Sequence, residues 1–113
     1  MNSMAYLRKE EGSIELNFSL EKVWEAILKT LAGLEWTVES VDNTTYRLKA
    51  KTKTSFMYYA SVLLISAEST GKHNTKLSFV AETPVTTITS LVEYGQTRKR
   101  VELFLRELQN QLS

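Results

Sequence analysis

Two stretches of this chain repeat their apolar residues every three or four positions, and the stretches between them alternate apolar with polar. That contrast constrains the fold more than any other feature. A 3.6-residue period belongs to a helix with one buried face, and a two-residue period to a strand with one buried face. The first helical stretch carries Leu20, Val23, Trp24, Ile27, Leu28 and Leu31. Ser19 stands at its N-cap, where a hydroxyl accepts an orphan backbone N–H, and Gly33 supplies a left-handed stop. The second stretch, clear from Tyr94 onward, carries Val101, Phe104, Leu105, Leu108 and Leu112. Its Glu102 lies four residues from both Arg98 and Arg106, as on a solvated face.

The alternating segments predict five strands. Ile14, Leu16 and Phe18 share one side of the first, and Trp36 and Val38 one side of the second. In the third, over 45–53, Tyr46, Leu48 and Ala50 oppose Arg47, Lys49, Lys51 and Lys53. The fourth covers 57–68. The fifth covers 75–82, reached through a hairpin loop over 69–74 and closed by Pro84. Residues 85–93 fit either an edge strand or the start of a helix. The order is therefore β-α-β-β-β-β-α. Two one-faced helices and an antiparallel meander satisfy each other when both helices lie on one face of the sheet, giving an α+β domain. Residues 1–12 read as a flexible N-terminal segment and 13–113 as a single domain, which 113 residues can furnish with a core.

The strand-helix order, Val23-Trp24-Glu25-Ala26 in the first helix, Trp36-Thr37-Val38 in a strand and a final helix opening near Gly95 carry a resemblance. The chain resembles, at the level of architecture, the TBP-like fold, a small helix-grip domain of the Bet v 1/START kind, and small prokaryotic domains of unknown function. The resemblance to helix-grip proteins implies an apolar ligand between sheet and last helix, with contacts from Tyr46, Leu63, Phe79, Val101 and Phe104. It carries over no catalytic motif.

Composition removes several chemistries. There is no Cys and a single His, so disulfides, zinc–cysteine sites, thiol catalysis and paired-histidine sites are excluded. His73 sits in a polar turn, away from the only Asp, Asp42. No spacing sets a catalytic carboxylate pair, and no glycine-rich phosphate loop is present. No cofactor, metal or catalytic residue is therefore expected. Lys+Arg total 14 and Asp+Glu 13, so net charge does not point to nucleic acid. The N-terminus has no signal-peptide core, and the longest apolar run, 56–67, falls short of the roughly 20 residues of a membrane helix. A cytoplasmic protein is expected.

Three functional readings remain. The first is a non-enzymatic interaction module, a homodimer or a protein partner, using an outward apolar set on the fourth strand: Tyr58, Ala60, Val62 and Leu64. A strand apolar on both faces calls for a cover. The second is the apolar-ligand binder. The third, weakest reading is a nucleic-acid or anionic-surface binder through the ladder Arg47, Lys49, Lys51 and Lys53, with Arg98 and Arg100 at the last helix. Glu35, Glu39 and Glu15 can offset that ladder across strands.

Overall fold

A computed structural model describes residues 6–53, 60–85 and 95–113. The chain forms β1 (Tyr6–Leu16), α1 (Leu20–Leu34), β2 (Thr37–Asp42), β3 (Arg47–Lys51), β4 (Val62–Gly71), β5 (Asn74–Val85) and α2 (Gln96–Leu112). The strands make one antiparallel sheet in the order β1-β5-β4-β3-β2. The expected α+β architecture holds, and its sheet order is not that of a simple meander. The first strand pairs with the last, so α1 must carry the chain from one edge of the sheet to the other.

Both helices pack on one face. Val23, Ile27 and Leu31 of α1 and Phe104 and Leu108 of α2 join Leu48, Ala50, Leu63, Ile65, Leu77 and Ala81 of the sheet in one core. Each helical stripe is thus consumed by a single sheet face, as its periodicity requires. Trp24 locks α1 to the β2–β3 turn. Its indole N–H donates to Asn43 Oδ1 at 2.8 Å, and its ring meets Tyr46 edge-on at 5.5 Å. Tyr46 belongs to that turn, at φ 58°, rather than to the strand expected to begin at Thr45.

Several element boundaries differ from the sequence reading. β1 begins at Tyr6, so residues 6–12 are strand rather than loose segment. What holds them is the ladder with β5, from Tyr6 opposite Val85 to Leu16 opposite Thr75. Gly12 lies directly across from Phe79, whose ring stands 3.1 Å from where a Gly12 Cβ would be. The aromatic ring thus covers a strand glycine. Helix α1 runs through Gly33 and stops at Glu35, which takes the left-handed conformation at φ 61° and donates its N–H to Ala32 and Leu31 carbonyls. β5 continues through Pro84, where β4 has not yet begun and β1 is its one paired neighbour among the described residues. β4 starts at Val62 rather than 57. Residues 54–59, and the ambiguous segment from 86 to 93, lie outside the described residues. Val38 and Val41, on the helix-facing side by register, are 37% and 45% exposed. They sit on β2, an edge strand of the sheet.

Two measurements follow from this packing. Thr30 is buried on α1, and its hydroxyl has no hydrogen-bond partner among the described residues. Thr30→Val removes that uncompensated group at constant shape, and its unfolding midpoint is expected to match or exceed the parent's. In the β2–β3 turn, Asp42 accepts hydrogen bonds from the Thr44 hydroxyl and from the backbone N–H groups of Thr44 and Thr45. These lower its pKa from 3.8 to about 2. A depressed carboxylate contributes stability that is present above pH 3.8 and lost as pH falls toward about 2. A carboxyl-carbon NMR titration is expected to give that low value, and Asp42→Ala to flatten the acid limb of the stability profile.

Candidate functional site

Where β3 ends and β4 begins, Thr52 and Ser61 bind each other. The Thr52 N–H donates to the Ser61 carbonyl at 2.9 Å, and the Ser61 N–H to Thr52 Oγ1 at 2.8 Å. From this clasp a line of hydroxyls crosses the helix-facing side. Ser61 Oγ lies 2.5 Å from Thr83 Oγ1 on β5, and Thr83 Oγ1 lies 2.8 Å from Thr97 Oγ1 on α2. One turn further along α2, Arg100 Nη1 donates to Ser61 Oγ at 2.6 Å. Ser61, Thr83 and Thr97 are at most 1% exposed. Burying hydroxyls is costly unless each is paired, so this line is a specific tie between β4, β5 and α2. A guanidinium has no acceptor. It therefore fixes one end of the line as a donor and leaves the Ser61 hydrogen free to run toward Thr83.

The cluster lies at the end of the sheet where β3 passes to β4 and β5 passes to α2. Thr52 and Ser61 flank residues 54–59, and Thr83 and Thr97 bracket the passage from β5 to α2. The cluster thus occupies the polar end of an otherwise apolar interior. Its side chains are four hydroxyls and one guanidinium, so the chemistry they offer is recognition by hydrogen bonding and positive charge.

The opposite, outer face carries a groove of about 960 Å³ with Leu64, Val80, Ser66, Ser78, Arg47 and Lys49 among its lining. No helix residue contributes to it. Register explains the lining. Glu11, Val80, Leu64 and Lys49 form one row across β1, β5, β4 and β3, and Ser13, Ser78, Ser66 and Arg47 form the next. Leu64 is 44% exposed.

The residues singled out from sequence separate into these two faces. Of the outward set on the fourth strand, Leu64 is exposed and Val62 half-buried. Ala60 is buried at 7%, because it precedes β4 rather than standing on its open face. Tyr58 lies outside the described residues, as do Phe56 and Tyr59. Of the inner set, Leu63, Val101 and Phe104 are buried in the core, and Tyr46 and Phe79 pack half-buried against it. Arg47, Lys49 and Lys51 do project together from β3, exposed. Lys53 lies past the strand and pairs with Glu35 at 2.5 Å, while Lys49 approaches Glu39 at 3.8 Å. Of the three acids expected to offset the ladder, Glu39 approaches it across strands, Glu35 meets it from the end of α1, and Glu15 accepts from Thr70 instead. Lys53 also holds the Glu35 carboxyl below its ordinary pKa.

The Arg98–Arg100 run divides. Arg98 reaches Glu10 of β1 at 3.4 Å, whereas Arg100 turns inward to the hydroxyl line. Ser61, Thr83, Thr97 and Thr52 carry no local signal that groups them, because they lie far apart along the chain. His73 is exposed in the β4–β5 turn, and no group of three metal-ligating side chains occurs among the described residues. No helix among them is long and apolar enough to cross a membrane.

Comparison with solved structures places the architecture. The chain is similar to norcoclaurine synthase from Thalictrum flavum in complex with dopamine and hydroxybenzaldehyde, with a TM-score of 0.68 at 10% identity over 96% of this chain and 88% of that one. It is similar to the Zhui aromatase/cyclase from Streptomyces sp. R1128, with a TM-score of 0.59 at 12% identity over 94% and 88%. It is also similar to an uncharacterised protein from Bacillus thuringiensis, with a TM-score of 0.66 at 14% identity over 91% and 97%. The fold is thus the helix-grip fold of the Bet v 1 kind. No protein-family model matches the chain, and no curated protein matches its sequence.

Thr83 is the middle link of the buried line. Thr83→Val removes the buried hydroxyl that both Ser61 Oγ and Thr97 Oγ1 approach. It is expected to cost about 1–3 kcal/mol, read as a lower denaturant midpoint with an unchanged slope. Thr30→Val, the same chemical change at an unpaired hydroxyl, is the matched control.

Proposed function

We propose that this domain binds a small, largely apolar molecule that carries one anionic or hydrogen-bond-accepting group. The ligand sits at the polar end of the helix-facing side, with its polar group toward Arg100, Ser61, Thr83 and Thr97 and its apolar body toward the adjoining core. The observation that carries this reading is the buried line from Arg100 to Thr97 on the helix-facing side. A mainly apolar recess with a few fixed polar groups is the usual make-up of a small-molecule site. The solved helix-grip structure in complex with dopamine and hydroxybenzaldehyde supports it as an analogy of fold.

Binding at that end leaves Leu63, Val101 and Phe104 in place. Those side chains already fill the middle of the grip, at 1%, 7% and 1% exposed. A ligand among them would have to displace core packing, at several kcal/mol. The role is binding rather than turnover, since the five polar side chains include no group able to exchange a proton near neutral pH.

Native and denaturing mass spectrometry of the gently purified protein tests the reading. A mass lost on denaturation is the expected result. A thermal-shift series with phenols, aromatic aldehydes and aromatic carboxylates follows. A true ligand at a hundred times its Kd stabilises by about 2.7 kcal/mol, a shift of several degrees. Arg100→Met is expected to abolish the shift. A bare protein that no compound in the series stabilises would overturn the proposal.

A further inference from the structure

The outer face of the sheet is independent of the grip and carries a different pattern. Its central row reads Glu11, Val80, Leu64, Lys49: acidic on β1, apolar on β5 and β4, basic on β3. Arg47 and Lys51 extend the basic side along β3, and Glu15 the acidic side along β1. Half-buried Val62 adds to the apolar middle. Among the described residues Lys49 approaches Glu39 and Lys9 approaches Glu11, both at 3.8 Å, and Glu15 accepts a hydrogen bond from the Thr70 hydroxyl. A pattern that changes sign across an apolar centre complements itself when reversed.

We infer that this face docks on the same face of a second copy of the chain, about a two-fold axis parallel to the strands and lying between β4 and β5. That axis exchanges β1 with β3 and β5 with β4. Glu11 of each copy then faces Lys49 of the other, and Val80 faces Leu64, so each contact occurs twice, as an isologous interface requires. Shape agrees with charge. A twisted sheet is a saddle, and a two-fold axis along its strands carries the saddle onto itself. The concave diagonal over Leu64 and Val80, which is the observed groove, therefore meets a convex diagonal of the partner. Face-to-face sheets pack in this aligned way.

The contact centres on the Glu11 row, because the row containing Lys9 and Lys51 sets like charges together. Four strands about 4.8 Å apart make a narrow face. The dimer is consequently at the weak end of specific interfaces, with a Kd on the order of micromolar.

Sedimentation velocity across a concentration series tests this on the full chain. The parent protein is expected to move from monomer to dimer, with weaker association at high salt. Leu64→Glu is expected to hold it monomeric, and because Leu64 is exposed the variant should keep the parent's circular dichroism. Glu11→Lys and Lys49→Glu should each raise the Kd by about tenfold or more, since each puts like charges together twice. An equimolar mixture of these two variants should recover the parent's association, because each supplies the charge the other lacks. A monomer at every concentration would overturn the inference. So would a dimer indifferent to the three substitutions, or one that the charge reversals weaken but their mixture does not restore.

Discussion

The pairing of β1 with β5 is the constraint from which the rest of the molecule follows. Eleven residue pairs, from Leu16 with Thr75 to Tyr6 with Val85, join the first strand to the last. This pairing makes β5 an interior strand and leaves β1 and β2 as the two edges. The chain must then cross from one edge to the other between β1 and β2, and α1 is the element that crosses. The second helix packs beside α1 on the same face of the sheet, where the two stripes share one core, so one face of the sheet is core and the other open. Contacts this distant in sequence are slow to form, since the loop must close before any pair is gained.

Within that frame, the helix-facing side is not uniformly apolar. Its middle is closed by Leu63, Leu77, Phe104 and Leu108, each at most 1% exposed. Its far end is closed by hydroxyls and a guanidinium instead. The exchange has a physical consequence. Dispersion and burial hold the middle without direction, whereas the line from Arg100 to Thr97 fixes the angle and register at which α2 begins. A directional contact of this kind can both locate a helix and present donors to a bound molecule.

Much of the fold was legible in individual residues. Leu20 to Leu31 and Val101 to Leu112 announced helices by spacing, and both formed. The alternation of Leu48 and Ala50 with Arg47, Lys49 and Lys51 gave the inner and outer faces of β3 correctly. On the fourth strand, apolar on both sides, alternation left the buried face open, and the structure turns Leu63, Ile65 and Ala67 inward. The misses had local causes. Residues 6–12 have no apolar alternation, and only their partner strand makes them extended. Gly33 suggested a helix stop, yet tertiary packing of Leu34 carried the helix one residue past it, and Glu35 took the left-handed turn. Tyr46 alternates like a strand residue but is claimed by the turn and by Trp24.

Neither candidate site could be read along the chain, for one reason. Ser61, Thr83, Thr97 and Arg100 are separated by 22, 14 and three positions, and Glu11, Val80, Leu64 and Lys49 come from four strands. Sequence alone determined what depends on neighbours three, four or two residues away: which segments are helix or strand, which side of each is apolar, and the absence of thiol or paired-histidine chemistry. Tertiary structure decided which strand lies beside which, and hence which hydroxyls share a buried line and which charges share a row. Those outcomes depend on strand order and register across the sheet, and hydrophobic periodicity along a single strand is the same whatever strand lies next to it.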